Sequence, residues 1–287
     1  MRLTTPTTVT VKAVGREKLE LPKHLFILAI LAIELLPFYM MLQISFKNNV
    51  MFNANPWLPI LPGATLVENF RFAYHLILPY AANTIFVSVT AATANLFFAI
   101  LAAYFFARYK MPFSNVLWSA FLTLMLIPSV TNIVPLFTLL KKLNLLNSLW
   151  GLIAVAVASG QVFNIFVLRN FIEDLPRDLF EAAEMDGAGH WKQIIHIVIP
   201  LSGPIIGTLF ILSFLGCWND FLMPLIILRD PQLFTLGVGL IYLDGDYAKD
   251  WGHIMAAFFM ASLPLLIMFL FTMKLFIRGL SAGALKG

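Results

Sequence analysis

The chain has 287 residues, of which 60% are hydrophobic and only 12% charged. So few polar groups cannot clothe a water-soluble globule, which excludes a soluble enzyme or binding domain and predicts an all-α membrane protein. The net charge is only +4, with no basic patch beyond what membrane topology explains, so no nucleic-acid partner is expected.

Residues 1–24 mix Thr, Pro and charge without apolar periodicity and read as a cytoplasmic tail. They lack the apolar core of a cleavable signal, and the first hydrophobic run is too long for one. A spanning helix needs about 20 apolar residues, and six runs qualify, near 25–46, 82–107, 116–140, 150–168, 201–228 and 254–277. The predicted organisation is therefore a tail (1–24), a first transmembrane helix with an outer loop (25–81) and a core of five helices (82–287). Within the outer loop, Asn-Pro and Pro-Gly turn signals argue against one straight helix. Thr65 with Glu68 three residues later predicts a capped short helix near 66–77.

Prolines 128, 135, 204, 224 and 264 fall within the predicted spans, and each is expected to remove a helix hydrogen bond that neighbours or water must replace. Thirteen of the 19 Lys and Arg lie on the side of the termini and six on the other. The positive-inside rule then places both termini in the cytoplasm of a multi-pass inner-membrane protein. No internal repeat is visible, which counts against a carrier built from inverted halves. Cys217, the only cysteine, excludes an intrachain disulfide. His24, His75, His190, His196 and His253 are scattered over both sides, so no metal site is expected.

The most unusual stretch lies between the fourth and fifth runs, at 169–200. Asp174-Leu-Pro176 opens a helix, with Pro176 suited to its start. Leu179, Phe180 and Ala183 follow at helical spacing, with Glu181 and Glu184 beside them. Gly187 is expected to end this helix by adopting positive φ. A second helix, from Gly189 to Ile199, is expected to present Trp191, Ile194, Ile195 and Val198 and to stop at Pro200. Such a knuckle can seat in a partner's groove, where Ala182, Ala183 and Ala188 allow close approach and Glu181 or Asp186 can pair with a basic residue. The plainer alternative is an amphipathic hairpin lying on lipid.

The ordered pattern Glu181-Ala182-Ala183, Gly187, Ile197 and Ile199-Pro200 resembles the "EAA" loop of the membrane subunits of bacterial ATP-binding-cassette importers. It departs from that pattern at Ile199, where Leu is usual, and at Gly189, where Ser or Thr often caps. Stretches 83–108, WNDFLMPL (218–225), TLGVGL (235–240), DWGHIMA (250–256) and the ending RGLSAGALKG are similar to sugar-importer permeases of the maltose-transporter type, in particular the smaller of their two permeases. The narrower likeness is to an importer of alginate-type acidic oligosaccharides.

The resemblance implies a type I ABC importer permease fold with a cytoplasmic coupling helix. It also implies a non-catalytic subunit moving a sugar by alternating access, with ATP and Mg bound by two partner ATPase subunits. A second homologous permease and a periplasmic solute-binding protein complete the implied assembly. The chain has no G-x-x-x-x-G-K-[ST] phosphate loop. Asp244, Gly245, Asp246 and Tyr247 would then form a loop that enters the binding protein's sugar cleft. Asn164, Trp218, Asn219 and Asp220 are candidates for the substrate path, because polar groups at membrane depth are costly without a role. The competing reading is an ion-coupled secondary carrier using Asp220 or Glu34, which would have no need of a cytoplasmic knuckle.

Overall fold

The computed structural model describes residues 20–60, 63–109, 112–246 and 250–284. Of the expected features, the tail up to residue 19 and Tyr247 lie outside the described residues. In chain order the helices are α1 (Glu20–Ile44), α2 (Asn49–Ala54), α3 (Ala64–Arg108), α4 (Ser114–Thr123), α5 (Ile133–Lys142), α6 (Leu149–Glu173) and α7 (Arg177–Met185). There follow α8 (His190–Gln193), α9 (Ile199–Leu201), α10 (Gly203–Trp218), α11 (Leu222–Ile227), α12 (Leu236–Asp246) and α13 (Trp251–Ala284).

Among the described residues, four helices are long and apolar enough to cross a membrane: Leu21–Ile44, Thr65–Arg108, Leu149–Glu173 and Trp251–Leu270. A fifth arises if His190–Leu201 and Gly203–Trp218, bent by 82°, count as one span. The third expected run, 116–140, is broken. After α4 come a 3-10 turn at Leu124–Leu126, extended backbone at Ile127, Pro128, and a second 3-10 turn at Ser129–Asn132 before α5 begins. The fifth run, 201–228, is likewise divided at Asn219–Phe221 into α10 and α11.

The prolines explain part of this, and differently from expectation. Pro135, Pro204 and Pro224 sit within the first three residues of α5, α10 and α11. There the helix has no use for an N–H, so these prolines start helices and cost them no hydrogen bond. Pro37, Pro79 and Pro264 are the ones inside helices.

The outer loop also departs from the sequence reading. The short helix near 66–77 and the second span are one 45-residue helix, α3, which runs through Pro79 and through the boundary drawn between 81 and 82. Its N-cap is Gly63. Thr65 instead donates its hydroxyl to the Phe46 carbonyl at 2.7 Å. The residues before Gly63 close onto α3 by side-chain bonds that no local pattern announces. Asn69 Nδ2 donates to the carbonyls of Ser45 (2.8 Å) and Lys47 (3.0 Å). The fully buried Lys47 donates to the carbonyls of Asn55 (2.9 Å) and Pro56 (2.8 Å). Trp251 stacks on Phe52 at 5.1 Å, joining α13 to the same clasp.

The core centres on α3. Small residues on it, Ala91, Ala92, Ala99 and Ala103, are buried and let α6, α10 and α13 approach closely, the usual way helices associate in lipid. A Cβ on Gly160 of α6 would lie 2.4 Å from Asn95 Nδ2 of α3, so glycine is required at this crossing. By contrast, none of the apolar window of α1 is buried.

Candidate functional site

Two places bring the candidate residues together. The first is the knuckle between α6 and α10. Pro176 precedes α7 in extended backbone (ψ 130°), as its ring favours, and α7 ends at Gly187 with φ +73°. The Gly187 N–H donates to the Glu184 carbonyl at 3.0 Å and the Ala188 N–H to the Ala183 carbonyl at 2.8 Å. These two bonds are a Schellman cap, which needs the left-handed residue glycine tolerates.

After the cap the chain turns through Gly189, the N-cap of α8. The expected second helix is present as a continuous helical stretch, His190–Leu201, made of α8, a π-helical turn over Ile194–Val198, and α9. Helical structure passes Pro200 to Leu201, and the 82° bend follows at Ser202. Pro200 is the second residue of α9, and the wider π ladder ahead of it leaves room for a residue without an N–H.

The faces of the two arms are now defined. Glu181, Ala182, Asp186 and Gly187 are exposed, as is Pro200, while Ala183 and Ala188 are half-buried. Phe180 is buried, with the Arg108 guanidinium 3.9 Å above its ring, whereas Leu179 faces outward. In the second arm Trp191 and Ile195 are exposed. Ile194 and Val198, expected to be presented to a partner, are buried against α3 and α6 together with the half-buried Ile197. The knuckle therefore shows a polar, small-residue rim outward and spends its aliphatic face on its own core. Behind α7 lies a cavity of about 400 Å³ lined by Arg108, Arg169, Arg177, Glu173, Glu181 and Glu184, among others. Arg169 is paired there with Glu173 at 3.1 Å. The charges balance, so the cavity is polar without being an anion sink.

The second place is a cavity of about 460 Å³ between α3, α6 and α10 that includes Asn95, Ser159, Phe163, Asn164, Ser213 and Asp220 in its lining. Asn164 is buried, and its amide donates to Asn95 Oδ1 and to Ser213 Oγ at 3.0 Å. Asn95 Nδ2 in turn donates to the Val157 carbonyl at 2.8 Å. Asp220 accepts from the Met223 N–H in the first turn of α11 at 3.2 Å. Of the four sequence candidates, Asn164 and Asp220 share this cavity. Trp218 is buried elsewhere, stacked on Phe214 at 5.6 Å, and Asn219 is exposed. Asn95, Ser159 and Ser213 were not singled out from sequence. Asn95 could have been, as an amide within a long apolar run.

Glu34 is exposed on α1 and is not part of the polar cavity that Asp220 lines, so of the two alternative ion sites named for a carrier only Asp220 lies in that cavity. Among the described residues no group of three or more His, Cys, Asp or Glu could hold a metal. Of the outer segment 244–247, residues 244–246 form the last turn of α12 rather than an open loop.

A multi-pass helical bundle with a broken span, a central polar cavity and an outward knuckle is the fold of an ABC-transporter permease. The protein aligns at TM-score 0.76 and 20% identity, over 93% of this chain and 99% of the other, with the crystal structure of a bacterial ABC transporter involved in the import of the acidic polysaccharide alginate. The chain belongs to the family of binding-protein-dependent transport system inner membrane components, whose profile matches residues 96–281.

It is 31% identical over 267 residues to the arabinooligosaccharides transport system permease protein AraQ of Bacillus subtilis (strain 168), covering 92% of this chain and 94% of that one. It is 32% identical over 255 residues to the melibiose/raffinose/stachyose import permease protein MelC of the same organism (88% and 91%). It is also 32% identical over 260 residues to the sulfoquinovosyl glycerol transport system permease protein SmoH of Agrobacterium fabrum (strain C58 / ATCC 33970) (88% and 89%). The protein is thus a non-catalytic membrane subunit of an ABC importer, which works with ATPase and substrate-binding partners.

Proposed function

We propose that this chain is the smaller permease of a sugar or oligosaccharide importer in the inner membrane, crossing it six times with both termini in the cytoplasm. A second homologous permease, two ATPase subunits and a periplasmic binding protein complete the assembly. The relatives named above import oligosaccharides or sugar derivatives, which supports a carbohydrate substrate. The fold-level likeness to an alginate importer keeps acidic oligosaccharides within that class.

The observation that carries the reading is the knuckle. Its Schellman-capped turn at Gly187 holds Glu181, Ala182 and Asp186 outward in fixed geometry, as a surface that must transmit force to a partner requires. The exposed apolar window of α1 supports a membrane partner, since Glu34 at membrane depth calls for a polar neighbour. The residues at 244–247 are assigned to contact with the binding protein's sugar cleft, and Asn164 and Asp220 to the wall of the substrate path.

The test is ATP hydrolysis stimulated by the binding protein, in proteoliposomes containing the whole complex. Gly187→Pro removes the N–H that donates to Glu184 and demands φ near −65° where the chain has +73°. Glu181→Lys reverses a contact charge. Both should abolish stimulation while the subunit still inserts, and wild-type stimulation in both would refute the docking role. Identifying the sugar carried by the copurified binding protein tests the substrate class.

A further inference from the structure

Both arms of the knuckle converge on a single side chain of α3. Tyr104 is fully buried. Its ring lies beside that of Phe180, with centroids 6.5 Å apart, which fixes the first arm. Its hydroxyl donates to Gln193 Oε1 at 2.7 Å, which fixes the second. Gln193, itself buried, passes the connection on, because its Nε2 donates to the Ala188 carbonyl at 3.2 Å. Ala188 is the residue whose N–H closes the cap at Gly187. The turn is thus held from inside, by a residue that the Glu-Ala-Ala pattern leaves unspecified. Tyr109, just past the end of α3, adds a contact from its hydroxyl to His190 Nδ1 at 2.8 Å.

The same helix is tied to the outer connection. Asn83 Nδ2 donates to the carbonyls of Gln232 (2.9 Å) and Phe234 (3.1 Å), and Thr84 Oγ1 accepts from the Leu236 N–H at 2.8 Å. Tyr104 lies twenty positions after Thr84, about 30 Å along the axis. Residues 85–103 between them form continuous α-helix without proline.

We propose that Tyr104 and Gln193 are positioning residues that lock both arms of the knuckle to α3, so that displacement imposed at Asp186–Gly187 is delivered to the outer segment 232–236. The inference rests on the knuckle being the ATPase-docking surface. Burial makes the lock effective. Inside the core a hydrogen bond has no water to exchange with, so the two arms cannot slip past α3 without leaving polar atoms unpaired.

The experiment uses the complete complex in a Cys217→Ser background with Gln232→Cys as an outer reporter. The rate of labelling by a membrane-impermeant maleimide is compared without nucleotide and with ATP and vanadate trapped in the ATPases. The unaltered knuckle should show a nucleotide-driven change in rate. Tyr104→Phe keeps the ring beside Phe180 and removes only the hydroxyl, and Gln193→Leu removes both amide contacts.

Tyr104→Phe should shrink that change by about 3–10-fold, as expected for the loss of the buried bond to Gln193, and Gln193→Leu, which also loses the bond to Ala188, by at least as much, in complexes of wild-type stoichiometry. The double variant should be about as impaired as Gln193→Leu alone. Gln193→Glu, which keeps an acceptor for Tyr104, should fall between Leu and wild type. Full nucleotide response in Tyr104→Phe and Gln193→Leu would overturn the lock, as would a loss that merely tracks complex yield, or a reporter silent with the unaltered knuckle. If Gly187→Pro abolishes stimulated hydrolysis while Tyr104→Phe is fully responsive, the docking role stands and the lock falls. If Gly187→Pro is also without effect, the docking role itself is wrong.

Discussion

Gly160→Ala should destabilise the protein through one identifiable collision. The new Cβ would lie 2.4 Å from Asn95 Nδ2 and 3.2 Å from its Cγ. The Asn95 amide cannot simply swing away, because it donates to the Val157 carbonyl and accepts from Asn164. Displacing it breaks those two buried hydrogen bonds, each worth about 1 kcal/mol, and overpacking adds about 1 kcal/mol more. The helix preference for Ala over Gly returns about 1 kcal/mol, leaving a net loss of about 2 kcal/mol from these terms. Purified complex unfolded by titration with SDS, followed by circular dichroism, would measure it.

A double-mutant cycle supplies the diagnostic. In an Asn95→Ala background the amide is gone, so Gly160→Ala should become neutral or stabilising by up to about 1 kcal/mol. If Gly160→Ala costs the same with and without Asn95, the collision is not the cause and the account of this helix crossing is wrong.

Other outcomes follow from features already described. Gly187→Asn, a side chain that tolerates left-handed backbone, should retain most binding-protein-stimulated ATP hydrolysis where Gly187→Pro loses it; equal loss in both would mean that φ is not what matters at this turn. Lys47→Met removes two donor bonds from a buried ammonium and should cost about 1.5–3 kcal/mol in SDS unfolding, and no change would show the clasp to be dispensable. In a Cys217→Ser background, Asn53→Cys should react with impermeant maleimide added outside and Glu181→Cys should not; the reverse pattern would invert the topology. Deletion of 244–247 should leave the complex assembled but lower sugar uptake several-fold at limiting sugar, and wild-type uptake would reduce the segment to a connector.

The sequence made the membrane class and the knuckle legible for different reasons. Apolar runs report burial in lipid directly, and a glycine between two short amphipathic segments reports a turn that other residues resist. That α3 runs unbroken through Pro79 into the second span was not legible. Pro79 and the turn signals around 55–63 suggested a break, but a helix loses only one hydrogen bond at an internal proline, and the bonds from Asn69 and Thr65 to 45–47 are contacts made across the fold. The division of the third span was also invisible to hydropathy, because Leu124–Ile127 is as apolar as its neighbours. In the polar cavity, Asn164 and Asp220 were found because they interrupt apolar sequence. Trp218 and Asn219 were misplaced because they are chain neighbours of Asp220 at the point where α10 ends, and only Asp220 lines the cavity.

The length of α3 also bears on the lipid around it. Forty-five residues extend about 68 Å, more than twice the hydrocarbon thickness of about 30 Å. A rod this long is not held to any one depth by its ends, and a thicker or thinner bilayer can shift along it with little strain. The 25-residue α6 spans about 38 Å, close to one membrane with a modest tilt, and it leads directly into the knuckle. Of the two, α6 has the length that matches one bilayer, and a change in thickness acts directly on the helix that enters the knuckle. The two helices most closely packed in the bundle thus differ in length by about 30 Å, and only the shorter one matches a single membrane.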